Sequence, residues 1–211
     1  MSGKTEKLIK DIAKRAELIT PINPTRRCCI WTILALVIAA VISVAIGIRH
    51  DISDKINSGI FIFEIVTALA AGFLAALVAS WLSIPGAKQQ KTLIWLPFIP
   101  ITMLFGIAGY QIFLMPVHLS DVEESVHCAA DIIMVAAVPA IALFAMLKLA
   151  ASTRNVLTSI MAVLSVGAFG YLCSRLICPN DEISHVIMWH YLPTLLIASI
   201  GAFVGFRILK W

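Results

Sequence analysis

The residues from Arg175 to His190, RLICPNDEISHVIMWH, combine side chains that bind metals or react with oxidants. These sixteen positions hold a cysteine, two acids, two histidines and a tryptophan, and they lie between two long apolar runs. Thiolate sulfur and imidazole nitrogen are ligands for soft and borderline metals, and the thiolate is also the reactive form of cysteine. The stretch therefore predicts thiol or metal chemistry at one turn of an otherwise apolar chain.

A second cysteine, Cys128, is the candidate partner of Cys178. Cys128 opens one predicted membrane helix and Cys178 closes the next, so both lie at the same predicted depth. A facing pair could form a disulfide in an oxidising compartment or bind a soft divalent metal. No local motif has diagnostic metal-site spacing, and a cysteine in a membrane helix often only packs. The side chains that would complete a tetrahedral site are His127, Asp131, His185 and His190.

Two acidic residues and one histidine fall inside the predicted membrane segments. Glu64, Asp131 and His190 are costly in a bilayer unless they are paired or hydrated. They lie near the ends of their helices, so hydration at the headgroup level is one explanation. The other is a polar cluster, with Asp181 and the histidines, that couples the turns to the helices.

The elements that must position these residues are membrane helices. The chain is 60% apolar and 13% charged, whereas soluble domains are about 45–50% apolar and about 25% charged. The apolar blocks are long enough for helices of about 20 residues and too unbroken for barrel strands. We predict an all-α bundle of six transmembrane helices at residues 28–48, 60–82, 93–115, 128–147, 156–176 and 186–208. Gly201 and Gly205, spaced four apart, are candidate packing positions for the last helix.

The distribution of basic residues predicts the orientation. Six spans put both termini on one side, which then holds thirteen Lys and Arg residues, while the other side holds Arg49, Lys55 and Arg175. This bias predicts cytoplasmic termini. Cys128, Cys178 and all five histidines then fall at or just beneath the outer side.

Residues 1–27 form a predicted cytoplasmic tail, separate from the membrane domain at residues 28–211. The tail carries an apolar stripe with helical spacing and basic residues on its other faces. Its partner would be the lipid surface or a groove on a soluble protein. The stripe consists of Leu8, Ile9, Ile12, Ala16 and Ile19.

Several phrases together resemble one known family. They are LIKDIA…PINPTRR in the tail, SIPG at 83–86, HCAAD at 127–131, CPNDEISHVIMWHYLP at 178–193 and GAFVGFRILKW at the carboxyl end. The chain resembles the NrsF family, six-helix bacterial membrane proteins that negatively regulate extracytoplasmic-function sigma factors. The resemblance implies an inner-membrane anti-sigma factor whose tail holds the sigma factor. It also implies that Cys128 and Cys178 sense heavy-metal or oxidative stress.

Two other functions compete with this interpretation. A small transporter or metal permease would use Glu64, Asp131 and His190, although no clear internal repeat supports it. A quinone-linked thiol oxidoreductase would need a reactive CxxC motif, which the sequence lacks. We expect no catalysis and no direct nucleic-acid binding, and no cofactor other than the candidate soft metal at Cys128 and Cys178.

Overall fold

The computed structural model describes residues 3–15, 22–85, 91–114, 126–150 and 152–210, and within these ranges the chain is helical without strands. The first tail helix, α1, is followed by the helices of a bundle. Their bounds are α1 Gly3–Arg15, α2 Pro24–Ile46, α3 Ile52–Lys55, α4 Gly59–Leu82, α5 Phe98–Leu114, α6 Val126–Lys148, α7 Asn155–Ile177, α8 Ile183–His185 and α9 Leu192–Ile208. A 3₁₀ turn, Lys91–Trp95, precedes α5, and a π-helical turn, Val186–Tyr191, joins α8 to α9.

The described residues contain six segments long and apolar enough to cross a membrane. They correspond to the six predicted spans, and the all-α membrane fold is confirmed. The first helix begins four residues before the predicted bound, at Pro24. Asn23 caps it by accepting the backbone N–H of Arg26 at 3.0 Å, and proline suits the first helical position. Local capping therefore extends α2 beyond its apolar run.

Helix α7 lies at the centre of the bundle, where it packs against α2, α4, α6 and α9. Phe169 on α7 occupies the space beside Gly72 on α4, since a Cβ added there would lie 2.7 Å from the ring. The same ring meets Trp31 on α2 edge-on, with 5.4 Å between ring centroids. Large rings set against a glycine thus hold three helices close together.

The glycines of α9 lie against its two neighbours. A Cβ added at Gly201 would lie 2.8 Å from Val163 on α7, and one added at Gly205 would collide with Phe144 on α6. A larger side chain at either position would require α9 or the side chain that it meets to shift.

The bundle has two ends, which we name by the residues they carry. The thiol end carries Cys128 and Cys178, and the tail end carries Arg27, near the start of α2. Helix α6 runs from Cys128 at the thiol end to Met146 at the tail end. The carbonyl of Met146 accepts a hydrogen bond from the Arg27 guanidinium at 2.8 Å. One continuous helix therefore connects the two ends.

Candidate functional site

The two cysteines of the thiol end face each other. Cys128 lies in the first turn of α6, and Cys178 follows the last residue of α7, where its N–H bonds to the carbonyl of Ser174 at 2.9 Å. Pro179 comes next, and a residue before proline favours extended backbone. Cys178 has φ −78° and ψ 121°, so α7 stops there. The two sulfurs lie 3.6 Å apart.

The contact between the sulfurs favours a thiolate on Cys178. The Cys128 thiol donates a hydrogen bond to the Cys178 sulfur, and this bond lowers the pKa of Cys178 although burial acts to raise it. A thiolate is both the nucleophile that oxidants attack and the form that binds metal. The pair is therefore arranged for thiol chemistry.

Two histidines complete the group, which we call the thiol cluster: Cys128, Cys178, His185 and His190. The Nε2 atom of His185 lies 3.4 Å from the Cys178 sulfur and 3.6 Å from the Cys128 sulfur. The His190 ring packs edge-on against His185, with 5.3 Å between centroids. One ligand-type atom from each of the four residues lies within 4.8 Å of every other.

The π-helical turn is what brings the two histidines together. In an α-helix, residues five apart point about 140° away from each other around the axis. A π-helix pairs residue i with residue i+5, and such turns occur frequently at functional sites. His185 and His190 have this spacing, and the turn places both rings beside Cys178. Pro193 cannot donate a backbone hydrogen bond to the carbonyl four residues earlier, which disfavours a regular α-helix here.

Both histidines are buried without full hydrogen bonding. His190 is 0% exposed, and neither of its ring nitrogens makes a hydrogen bond of ordinary geometry. Nδ1 of His185, which is 1% exposed, also has none. Burying an unsatisfied polar nitrogen costs free energy. The cluster therefore contains buried ring nitrogens that make no hydrogen bond of ordinary geometry with the described residues.

A network of ion pairs holds the turn that carries Cys178. Asp181 accepts from Arg49 at 2.7 Å, from Lys55 at 2.6 Å and from Arg175 at 2.8 Å. Arg175 also pairs with Glu64 on α4 at 3.0 Å, and both of these side chains are buried. Arg49 lies just after α2, so the network connects α2 and α4 to the end of α7. We call these residues, together with Asp51, the ion-pair network.

The pKa values in the ion-pair network follow from these contacts. Burial acts to raise the pKa of Asp181, but hydrogen bonds from Arg49 and Lys55 hold that pKa well below its usual range. A hydrogen bond from Arg49, at 2.7 Å, lowers the pKa of Asp51 to about 2. Both carboxylates are therefore ionised at neutral pH, which keeps the network intact.

The predicted polar residues thus divide between two neighbouring groups. His185 and His190 join the thiols, whereas Glu64 and Asp181 pair with arginines. Asp131 lies one turn along α6 from Cys128 and interacts electrostatically with His127 and His190. The side chain of His127 is exposed, and it is not among the four clustered residues.

The other cysteines lie apart from the thiol cluster. Cys173 is buried between α7 and α2, where its sulfur lies 3.1 Å from the Ser43 hydroxyl. Cys28, at the tail end, has its sulfur 3.7 Å from the Phe73 carbonyl, and Cys29 is exposed.

The predicted binding stripe of the tail is exposed where the structure describes it. Leu8, Ile9 and Ile12 on α1 are 59%, 52% and 61% exposed. Ala16 and Ile19 lie outside the described residues.

Sequence reasoning missed the part played by Arg49 and Arg175. It noted both as exceptions to the charge bias but did not pair them with Glu64 and Asp181. The available signal was an acid and an arginine at matching predicted depths on different helices, because a charge buried in a membrane protein needs a partner.

Comparisons with known proteins identify the family of the chain. The sequence matches the family model described as "NrsF: Negative regulator of sigma F" over residues 12–211. The chain belongs to the NrsF family. A relative from Azospira oryzae, named "Probable anti-sigma-F factor NrsF", is 27% identical over 218 residues, covering 99% of this chain and 100% of the relative. No solved structure matches the chain.

Family membership confirms the resemblance found in the sequence. The chain is a negative regulator of a sigma factor, and its partner is therefore a sigma factor. The family is regulatory rather than catalytic. Six apolar helices make this member a multi-pass membrane protein.

Proposed function

We propose that this protein is an anti-sigma factor of the bacterial inner membrane, which holds an extracytoplasmic-function sigma factor through its cytoplasmic tail. Reaction of Cys128 and Cys178 with heavy metals or oxidants, on the outer side, releases the sigma factor. The observation that carries the proposal is the 3.6 Å separation of the two sulfurs. They lie at the ends of two packed helices, at the opposite end of the bundle from the tail.

The chemistry at the thiols changes how α6 and α7 meet. A peroxide takes two electrons from the pair, so that one S–S bond forms and the two thiol protons leave with the peroxide oxygens as two waters. A disulfide has sulfurs about 2.05 Å apart. Since the sulfurs now lie 3.6 Å apart, forming the bond draws the two side chains together and pulls on the helix ends that carry them. A soft divalent metal would instead displace both protons and hold the sulfurs apart.

Helix α6 provides the connection to the tail. At its far end, Met146 accepts from Arg27, and in its middle the Pro139 carbonyl accepts from the Trp31 indole at 2.9 Å. Both donors belong to α2, which continues from the tail. Packed helices shift as units, so movement at Cys128 changes the position of the start of α2. A difference of about 1–3 kcal/mol between two arrangements suffices to change sigma-factor affinity several-fold or more.

The test is a reporter gene transcribed only by the partner sigma factor. In cells with the wild-type protein, we expect cadmium or peroxide to switch the reporter on. The double variant Cys128→Ser, Cys178→Ser should give no further change on stress, with the protein still present in the membrane fraction. The matched control is Cys29→Ser, a thiol at the tail end, which should respond as the wild type does. A normal stress response in the double variant would overturn the proposal.

A further inference from the structure

Three of the four ligand-type atoms of the thiol cluster are already spaced as in a tetrahedral metal site. Zinc bonds of about 2.3 Å to sulfur and about 2.0 Å to nitrogen, at tetrahedral angles, separate two sulfurs by about 3.8 Å and a sulfur from a nitrogen by about 3.5 Å. The two sulfurs of Cys128 and Cys178 lie 3.6 Å apart. Nε2 of His185 lies 3.4 Å and 3.6 Å from them. A cation can therefore enter between these three atoms without rearrangement of the backbone.

The fourth ligand comes from His190, whose ring is enclosed within the cluster. A packing histidine in a protein interior normally has a hydrogen-bond partner. His190 is 0% exposed, and its ring interacts with the Cys178 sulfur, but neither ring nitrogen makes a hydrogen bond of ordinary geometry. One ring nitrogen lies within 4.8 Å of the ligand atoms of the other three residues. A bound cation would satisfy that nitrogen, which explains why the π-helical turn places a polar ring in this position.

We propose that Cys128, Cys178, His185 and His190 form a four-coordinate site that holds Zn²⁺ in the resting protein. Two sulfur and two nitrogen ligands in tetrahedral geometry are the donor set that favours zinc among common divalent ions. The two thiolates balance the charge of the ion, so the buried site is neutral. The inference assigns the resting state of the thiols, and it rests on the proposed function only for their sensory role. In protein that holds zinc, oxidation of the two thiolates to the disulfide would release the ion, because the thiolate is the form that binds metal.

The ligands of the site also determine which metal ions it does not bind. Mg²⁺ and Ca²⁺ require oxygen ligands, and the four ligand residues include no carboxylate. A softer ion with the same geometry, such as Cd²⁺, would compete with zinc for the two sulfurs. The site would therefore recognise thiophilic d¹⁰ cations as a class.

The experiment uses the full-length protein purified in detergent from cells grown with zinc. We expect elemental analysis to find about one Zn²⁺ per chain. After the zinc is removed, Co²⁺ should give the intense visible bands of tetrahedral cobalt and the ultraviolet charge-transfer band of thiolate–cobalt bonds. Zinc should abolish both signals when it is added back.

Substitutions inside and outside the thiol cluster test whether its four residues are the metal ligands. Cys178→Ser should lose the metal and the charge-transfer band. His190→Gln should keep the band but lose the tetrahedral visible spectrum or bind cobalt at least tenfold more weakly. His127→Gln and Cys29→Ser, which alter side chains outside the thiol cluster, should bind as the wild type does.

Two results would overturn the site. One is wild-type protein that contains no zinc and gives no thiolate–cobalt band, and the other is a His190→Gln variant that changes neither the cobalt spectrum nor the affinity for cobalt. If a variant fails to fold, the cobalt spectrum of the wild-type protein still tests the site.

The outcomes of the metal-binding experiment are also distinct from those of the stress reporter. If zinc binds to all four ligands while the thiol double variant responds normally, the site stands and the sensor function fails. If the response needs both thiols but the protein binds no metal, the sensor stands and the zinc site fails.

Discussion

Arg175 is the residue through which the thiol end is tied to the middle of the bundle. Its guanidinium pairs with Glu64 on α4 and with Asp181 beside the thiols, and it lies 5.7 Å from the centroid of the Phe61 ring. The Glu64 and Arg175 side chains are only 4% and 6% exposed. Removing one partner of a buried pair leaves the other charge without compensation, which is more costly than replacing both.

We therefore expect Arg175→Met to destabilise the protein by about 3–5 kcal/mol, because it leaves Glu64 buried and unpaired. The double variant Arg175→Met, Glu64→Met should recover most of that loss, since an apolar pair needs no charge compensation. Thermal unfolding of the detergent-purified proteins measures both. Arg26→Met, which removes an exposed arginine at the tail end, is the control and should change stability by no more than about 0.5 kcal/mol. A double variant as unstable as Arg175→Met would show that the salt bridge is not the cause.

At the scale of elements, α1 is the helix whose apolar face is left exposed among the described residues. Its apolar residues Leu8, Ile9 and Ile12 are more than half exposed. An isolated helix of thirteen residues is marginal in water. The apolar stripe therefore needs a covering surface, and a sigma factor supplies one in the proposed function.

Placing charge on this stripe should release the sigma factor. In Ile9→Asp, Ile12→Asp, two carboxylates would be buried in an apolar interface, so we expect binding to weaken by a factor on the order of ten or more. The reporter should then be active without stress, and the sigma factor should no longer co-purify with the full-length protein. Lys7→Glu changes the net charge by the same amount on the opposite face of α1 and should still repress. Full repression by the double variant, correctly inserted, would exclude the stripe as the binding surface.

The elements differ in how far the sequence alone can predict them. The six spans follow from length and hydropathy because the bilayer imposes both, and α2 departs from its predicted start only because of the local cap at Asn23. The π-helical turn was not predicted. The sequence does contain two signals for this turn, the two histidines spaced by five and Pro193. They indicate a π-helical turn only once it is known which side chains the histidines approach. The pairing of Arg175 with Glu64 likewise depends on which helices are neighbours, which hydropathy does not encode.

At the scale of the whole molecule, the proposed function requires the two ends of the bundle to face different compartments. The predicted outer side has only three basic residues, Arg49, Lys55 and Arg175, and each is paired with a carboxylate at the thiol end. Ion pairing therefore explains why these three basic residues occur on the predicted outer side. The other thirteen basic residues fall on the predicted side of the tail, and this bias predicts that the tail side is cytoplasmic.

Reporter fusions test the orientation directly. Green fluorescent protein fused after Trp211 should be fluorescent, and alkaline phosphatase inserted near Asp121 should be active, because that enzyme needs the disulfides that form outside the cytoplasm. Exchanging the two reporters between the two positions is the matched control and should silence both.

Alkaline phosphatase activity after Trp211 together with fluorescence near Asp121 would show the reverse orientation. The thiols would then face the reducing cytoplasm, where a disulfide does not persist, and the tail could not reach a cytoplasmic sigma factor. The orientation is thus the property on which the sensing and binding proposals jointly depend.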